Sequence, residues 1–283
     1  MKRLLFINIA FATFTSTAMC QSRLGKNTST VTTNDGISIA YEVHGNGSTA
    51  LVFVHGWSCD RSYWKHQIQP FSKHYKVVTV DLGGHGESGT ERKNWTIASY
   101  GSDVAAVVKK LGLKHVVLIG HSMGGDVIAD AALQLPGRVA GLIMVDTYKR
   151  LGSGRTQESV QAFVNKFRNN FADSVRPLVR SMFLPNSDSS LVEHVAMDMS
   201  SAPPAVALSA LESSFTHSRQ ITHDFELLKL PIIAINPDNE PTDTTSMQRY
   251  GVEVFILQGV GHFLMMEEPK RFNEILETAI KKL

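Results

Sequence analysis

Six runs of Val, Ile, Leu and their apolar neighbours recur along this chain: "ALVFVHG" at 50–56, "KVVTVDL" at 76–82, "HVVLIGHS" at 115–122, "AGLIMVD" at 140–146, "PIIAIN" at 231–236 and "VEVFILQG" at 252–259. Continuous apolar runs of this length suit strands buried on both faces, the condition of a parallel sheet covered by helices. A seventh segment, "ISIAYEVHG" at 37–45, alternates instead, as a half-exposed strand does. Between the runs lie helical stripes. Tyr100, Val104, Val107, Val108 and Leu111 fall on one helical face, and so do Phe272, Ile275, Leu276, Ala279, Ile280 and Leu283. Strand and helix in alternation predict an α/β fold. With 283 residues, 43% of them hydrophobic, the chain can bury one large core.

The alternation breaks once. Between Asp146 and Pro231 no strand pattern occurs, and a loop of that length is improbable inside a compact domain. The spacing of Val160, Phe163, Val164, Phe167 and Phe171 predicts a helix, with further apolar helical stretches at 174–184, 190–199 and 204–215. Pro177, Pro185, Pro203 and Pro204 punctuate them. The segment from about 148 to 226 is therefore expected to be a helical insertion in a domain spanning 21–283.

Residues 1–20 follow another pattern: Lys2 and Arg3, the apolar run "LLFINIAFATF", then the small residues "TSTAMC". This is the layout of an export signal, with cleavage after Ala18 fitting the small residues Ser16 and Ala18. The expectation is a periplasmic or secreted protein, with a lipid anchor on Cys20 as the alternative. If residues 1–20 are all removed, Cys59 is the one remaining cysteine, so no disulfide framework is implied. A formal net charge of +2 without a block of Lys and Arg gives no electrostatic footprint for nucleic acid.

The chemistry is carried by "GHSMG", Gly120 to Gly124, a GxSxG pattern that directly follows one apolar run and opens the helical pattern "MGGDVIADAALQL". A sharp strand-to-helix turn would lift Ser122 out of the fold, with glycines on either side where a Cβ would collide. The competing reading is a small polar residue in a tight turn. A nucleophilic serine also needs a base, an acid and an oxyanion site. His262, in "QGVGHFLMMEEP" after the last apolar run, is the candidate base. For the acid, "INPDNEPTD" offers Asp238, Glu240 and Asp243. Asp238 comes soonest after its strand, and Asp243 suits the cap of the following helix. Asp146, at the end of the preceding strand, is a further candidate. For the oxyanion, the backbone N–H groups of Trp57, in "FVHGW", and of Met123 could converge on a bound carbonyl. Losing one such donor typically costs about 3 kcal/mol of transition-state stabilisation.

Rival chemistry finds less support. "GHGESG", Gly84 to Gly89, matches GxGxxG, but "TERKNWTI" after it is not the helix a dinucleotide site requires. No HExxH, CxxC or clustered His pair occurs, so neither metal nor cofactor is expected.

Taken together, "HGW", "DLGGHGES", "GHSMGG" and "GVGH" occur in the order found in the alpha/beta-hydrolase superfamily, which the chain resembles from about residue 31 to its end. It is most similar to the branch of carboxylesterases, cofactor-free haloperoxidases and enol-lactonases. The resemblance implies an eight-stranded, mostly parallel sheet flanked by helices, with a helical cap insertion over the site. It implies a triad of Ser122, Asp238 and His262, with the Trp57 and Met123 amides as oxyanion hole. It also implies a serine esterase acting on a small, partly apolar ester, with lactone hydrolysis or perhydrolysis by the same triad as the alternative and a receptor-like, non-catalytic fold as a further one. "INPDNEPTD" departs from the family by lacking the usual Gly after the strand.

Overall fold

The computed structural model describes residues 27–283; the leader and Cys20 lie outside them. The apolar runs become strands of one sheet. The strands are β1 (Ser29–Thr32), β2 (Ser38–His44), β3 (Ala50–Val54), β4 (Lys76–Val80), β5 (Val116–His121), β6 (Val139–Val145), β7 (Ile232–Pro237) and β8 (Val252–Leu257). Their order is β1-β2-β4-β3-β5-β6-β7-β8. The two β2 pairings are antiparallel, and the ladder from β4 to β8 is parallel throughout. β3 and β5 are buried along their whole length, as continuous apolar runs require. β8, also read as a continuous run, is an edge strand whose Glu253 and Ile256 are exposed. β1, "STVT", is an exposed polar edge with no hydrophobic signal to announce it.

The helices are α1 (Lys65–Phe71), α2 (Ile97–Lys110), α3 (Met123–Leu133), α4 (Gln157–Asn165), α5 (Phe171–Arg180), α6 (Ser189–Ser200), α7 (Pro204–His217), α8 (Ile221–Leu228), α9 (Thr244–Arg249), α10 (Leu264–Glu267) and α11 (Pro269–Ile280). α4 to α8 all fall between β6 and β7. The stripe from Val160 to Phe171 is divided, because α4 stops at Asn165 and Phe171 opens α5. Pro177 sits inside α5 rather than ending it. Pro204 opens α7 at its first position, where a missing N–H costs nothing.

Chain order along the sheet reverses at β3, which has β4 on one side and β5 on the other. At such a switch point the loops leaving the two neighbouring strands diverge and open a crevice at their carboxyl ends. Those loops are "HGW" after β3 and "HSM" after β5. Glycine lets them approach: a Cβ on Gly120 would run into the Gly124 carbonyl, and one on Gly124 would lie 2.7 Å from the Val54 and His55 oxygens. α3 therefore starts in direct backbone contact with β3 and β5.

The glycine-rich 84–89 segment is a loop, with Gly84 and Gly86 at φ 78° and 50°. It wraps the buried Asp81 carboxylate, which accepts the Glu87 N–H at 2.9 Å and the Arg61 N–H at 2.8 Å and pairs with the Arg61 guanidinium. The motif thus folds the loop around a carboxylate at the end of β4.

Replacing Gly124 with Ala forces a methyl against the Val54 and His55 carbonyl oxygens at the end of β3. It is expected to cost about 2 kcal/mol of stability, read as a lower urea midpoint; an unchanged midpoint would show that the contact yields.

Candidate active site

Ser122 is the residue between β5 and α3, and its backbone is held at φ 53° and ψ −120°. A non-glycine residue in that region is strained, and strain of this kind persists only where the surroundings impose it. Here the Ser122 N–H donates to Val145 O at 2.9 Å, while glycines 120, 124 and 125 admit the close packing around it. Ser122 is also the N-cap of α3, yet its hydroxyl makes no capping bond. Thr96, Thr156 and Asp243 do cap their helices with their side chains. The Ser122 oxygen is left out of the scaffold.

The β5–β6 register pairs His121 with Val145, so Asp146 follows beside Ser122 at the end of the next strand. Asp146 also has positive φ, 45°, and is buried. Its Oδ2 lies 2.6 Å from His262 Nδ1. A carboxylate there accepts, so Nδ1 carries the proton and Nε2 presents its lone pair. Burial alone would raise the Asp146 carboxyl, but the His262 hydrogen bond and the nearby Lys149 ammonium hold it below the ordinary carboxylate value.

This corrects the expected acid. Asp238 does not reach the imidazole; its Oδ1 accepts the Gly259 N–H at 2.8 Å and so braces the loop that leads to His262. Asp243 caps α9, accepting the Ser246 N–H at 3.0 Å. Glu240 is exposed beyond the end of β7. The missing glycine in "INPDNEPTD" was the available signal: a loop that does not carry the acid has no need of the family's usual turn there.

The His262 loop is fastened from three directions. The His262 N–H donates to Met182 O at 2.9 Å, the Gly261 N–H donates to Glu267 Oε1 at 3.0 Å, and His121 Nε2–H donates to His262 O at 2.9 Å. A Cβ on Gly261 would lie 2.5 Å from Met182 O, so glycine is needed for the insertion's backbone to touch this loop. The His121 and His262 rings are 4.6 Å apart. Burial, followed by the facing His262, pushes the His121 imidazole down to about 3, which keeps it neutral.

Met123 opens α3, so its N–H is one of the helix's orphan donors, at the end where the dipole favours negative charge. Gly56 lies against the same point: a Cβ there would be 3.2 Å from Ser122 Cβ. Trp57 follows it, buried, with its indole N–H donating to Ala207 O of α7 at 2.7 Å and its ring edge-on to Phe167 and Phe171. Elsewhere in the insertion, Phe183 stacks on Phe263, Phe163 packs with Phe215, and Met197 is 62% exposed. Among the described residues, no group of three or more His, Cys, Asp or Glu side chains is arranged to hold a metal ion.

Residues 49–193 match the model of the alpha/beta hydrolase fold family. The chain is 27% identical over 258 residues to the dihydrolipoyllysine-residue acetyltransferase component of the acetoin cleaving system of Cupriavidus necator, covering 86% of this chain and 66% of that protein. It is 40% identical over 119 residues to a non-heme chloroperoxidase of Streptomyces lividans, covering 41% and 43%. It thus spans less than two thirds of each of these two relatives. Among solved structures, a thermophilic esterase from Thermogutta terrifontis superposes with a TM-score of 0.78 at 24% identity, over 90% of this chain and 98% of that one.

Because His121 is neutral in the folded protein down to about pH 3 but takes up a proton near pH 6.5 once unfolded, it makes stability fall as pH drops through that window. His121→Gln removes one proton from this linkage. The slope of unfolding free energy against pH below 6.5 is expected to become shallower by about 1.4 kcal/mol per pH unit, measured by urea unfolding at several pH values. An unaltered slope would mean that His121 is already charged in the fold.

Proposed function

We propose that this chain, which belongs to the alpha/beta hydrolase fold family, is a serine hydrolase that cleaves small, partly apolar carboxylic esters through an acyl-enzyme on Ser122. The observation that carries the reading is the 2.6 Å pairing of His262 Nδ1 with Asp146, on the strand end adjacent to a strained Ser122 whose hydroxyl the scaffold does not use. That arrangement leaves His262 Nε2 as the base and Asp146 as the group that fixes the tautomer and stabilises the imidazolium.

In the first half-reaction, Nε2 takes the Ser122 proton as Oγ adds to the ester carbonyl. The carbonyl oxygen becomes an oxyanion, held by the Met123 and Trp57 N–H groups at the α3 terminus. Collapse breaks the bond to the alkoxy oxygen, which leaves with the proton held on Nε2. In the second half, a water gives a proton to Nε2 as its oxygen adds to the acyl carbon; collapse breaks the bond to Ser122 Oγ, which takes the proton back from Nε2, and the carboxylic acid departs. The helices between β6 and β7 act as a cap over this site, with Phe167 and Phe171 beside Trp57 offering apolar surface to the substrate. The leader-like residues 1–20 support export as the destination.

A panel of short-chain p-nitrophenyl esters and a fluorophosphonate probe tests the reading. Ser122→Ala is expected to abolish both turnover and labelling while the protein remains folded; retained turnover removes Ser122 from the mechanism. Asp146→Asn is expected to lower kcat about ten-thousand-fold, as loss of the orienting acid does in serine triads. Asp238→Asn is expected to change it only a few-fold, and the reverse order would return the acid to the β7 loop.

A further inference from the structure

The carboxylate that faces His262 has a second partner. Asp146 Oδ1 lies 3.1 Å from Lys149 Nζ, so its two oxygens are divided between an imidazole and an ammonium. Lys149 is mostly buried, and its other contacts fix it: Nζ donates to Pro237 O at 2.8 Å and to Asn239 Oδ1 at 3.1 Å. Its backbone is fastened to the same place, with Lys149 O accepting the Asp243 N–H at 2.8 Å and the preceding Tyr148 O accepting from Asn236 Nδ2 at 2.8 Å. The segment after β7, where the sequence suggested an acid, instead supplies oxygens that hold a lysine against the acid at the end of β6.

We propose that Lys149 is a positioning residue, which locks the Asp146 carboxylate with Oδ2 toward His262. A carboxylate on a short side chain at a strand end can rotate about χ2, and one oxygen tied to an ammonium that is itself fixed by Pro237 O and Asn239 Oδ1 removes that freedom. The other titratable groups near the pair are His121 against the ring, His55 beyond it, Glu267 on the Gly261 N–H and Asp238 on the Gly259 N–H. The Asp146 carboxylate makes ion-pair contacts with both His262 and Lys149. The inference deepens the serine-hydrolase reading and rests on it for its kinetic consequence.

The test has an arm that needs no turnover. The proton of the Asp146–His262 hydrogen bond is followed by NMR in the wild type, Lys149→Gln and Lys149→Arg, and kcat and KM are measured on the ester panel. Lys149→Gln keeps an amide able to donate to Pro237 O but is expected to broaden that resonance by loosening the carboxylate, and to lower kcat about ten-fold with little change in KM. Lys149→Arg retains a charged donor and is expected to return both toward the wild-type values. Should Lys149→Gln not fold, Lys149→Met, with a stem of similar length, carries the same expectation. An unchanged resonance in a folded Gln or Met variant, or an equal change in the Arg variant, overturns the proposal, even if kcat falls. An altered resonance in a protein that neither labels nor hydrolyses esters would uphold Lys149 and overturn the esterase reading instead.

Discussion

The closest constraint in this molecule is the backbone contact where β3, β5 and α3 meet. A Cβ on Gly120 or Gly124 would run into backbone oxygens, and one on Gly56 would crowd His121 and Ser122. The contact brings the start of α3 onto the end of β3, which sets the orphan amides of a helix beside the loop carrying Trp57. It also forces Ser122 into its strained conformation, with the N–H tied to Val145 O. The β6 register then delivers Asp146 to the neighbouring strand end.

Much of this was legible in the sequence because it is local. A strand run followed at once by GxSxG and a helix pattern leaves little freedom for Ser122, and "GVGH" after the last strand brings His262 to the same end of the sheet. The acid was not legible in the same way. Asp146 and Asp238 both follow apolar runs, and both strands end at the same edge. What separates them is three-dimensional: Asp146 sits one strand from Ser122, whereas Asp238 is two strands away and already bound to the Gly259 N–H.

Other misses have physical causes too. β1 is polar and exposed, held by pairing to β2 rather than by burial, so it carries no periodic signal. Pro177 reads as a helix stop but lies within α5, whose apolar Phe171, Val175 and Val179 are buried and outweigh one lost hydrogen bond. The buried Arg61–Asp81 pair, which organises the loop after β4, joins residues 20 apart in sequence that no spacing rule connects.

The bond from the His262 N–H to Met182 O means that the inserted helices and the His262 loop are not separable parts. Met182 lies just beyond α5, in the segment that distinguishes this chain from a bare sheet-and-helix body. Any change to the stretch after α5 that moves the Met182 carbonyl also moves the loop that carries His262.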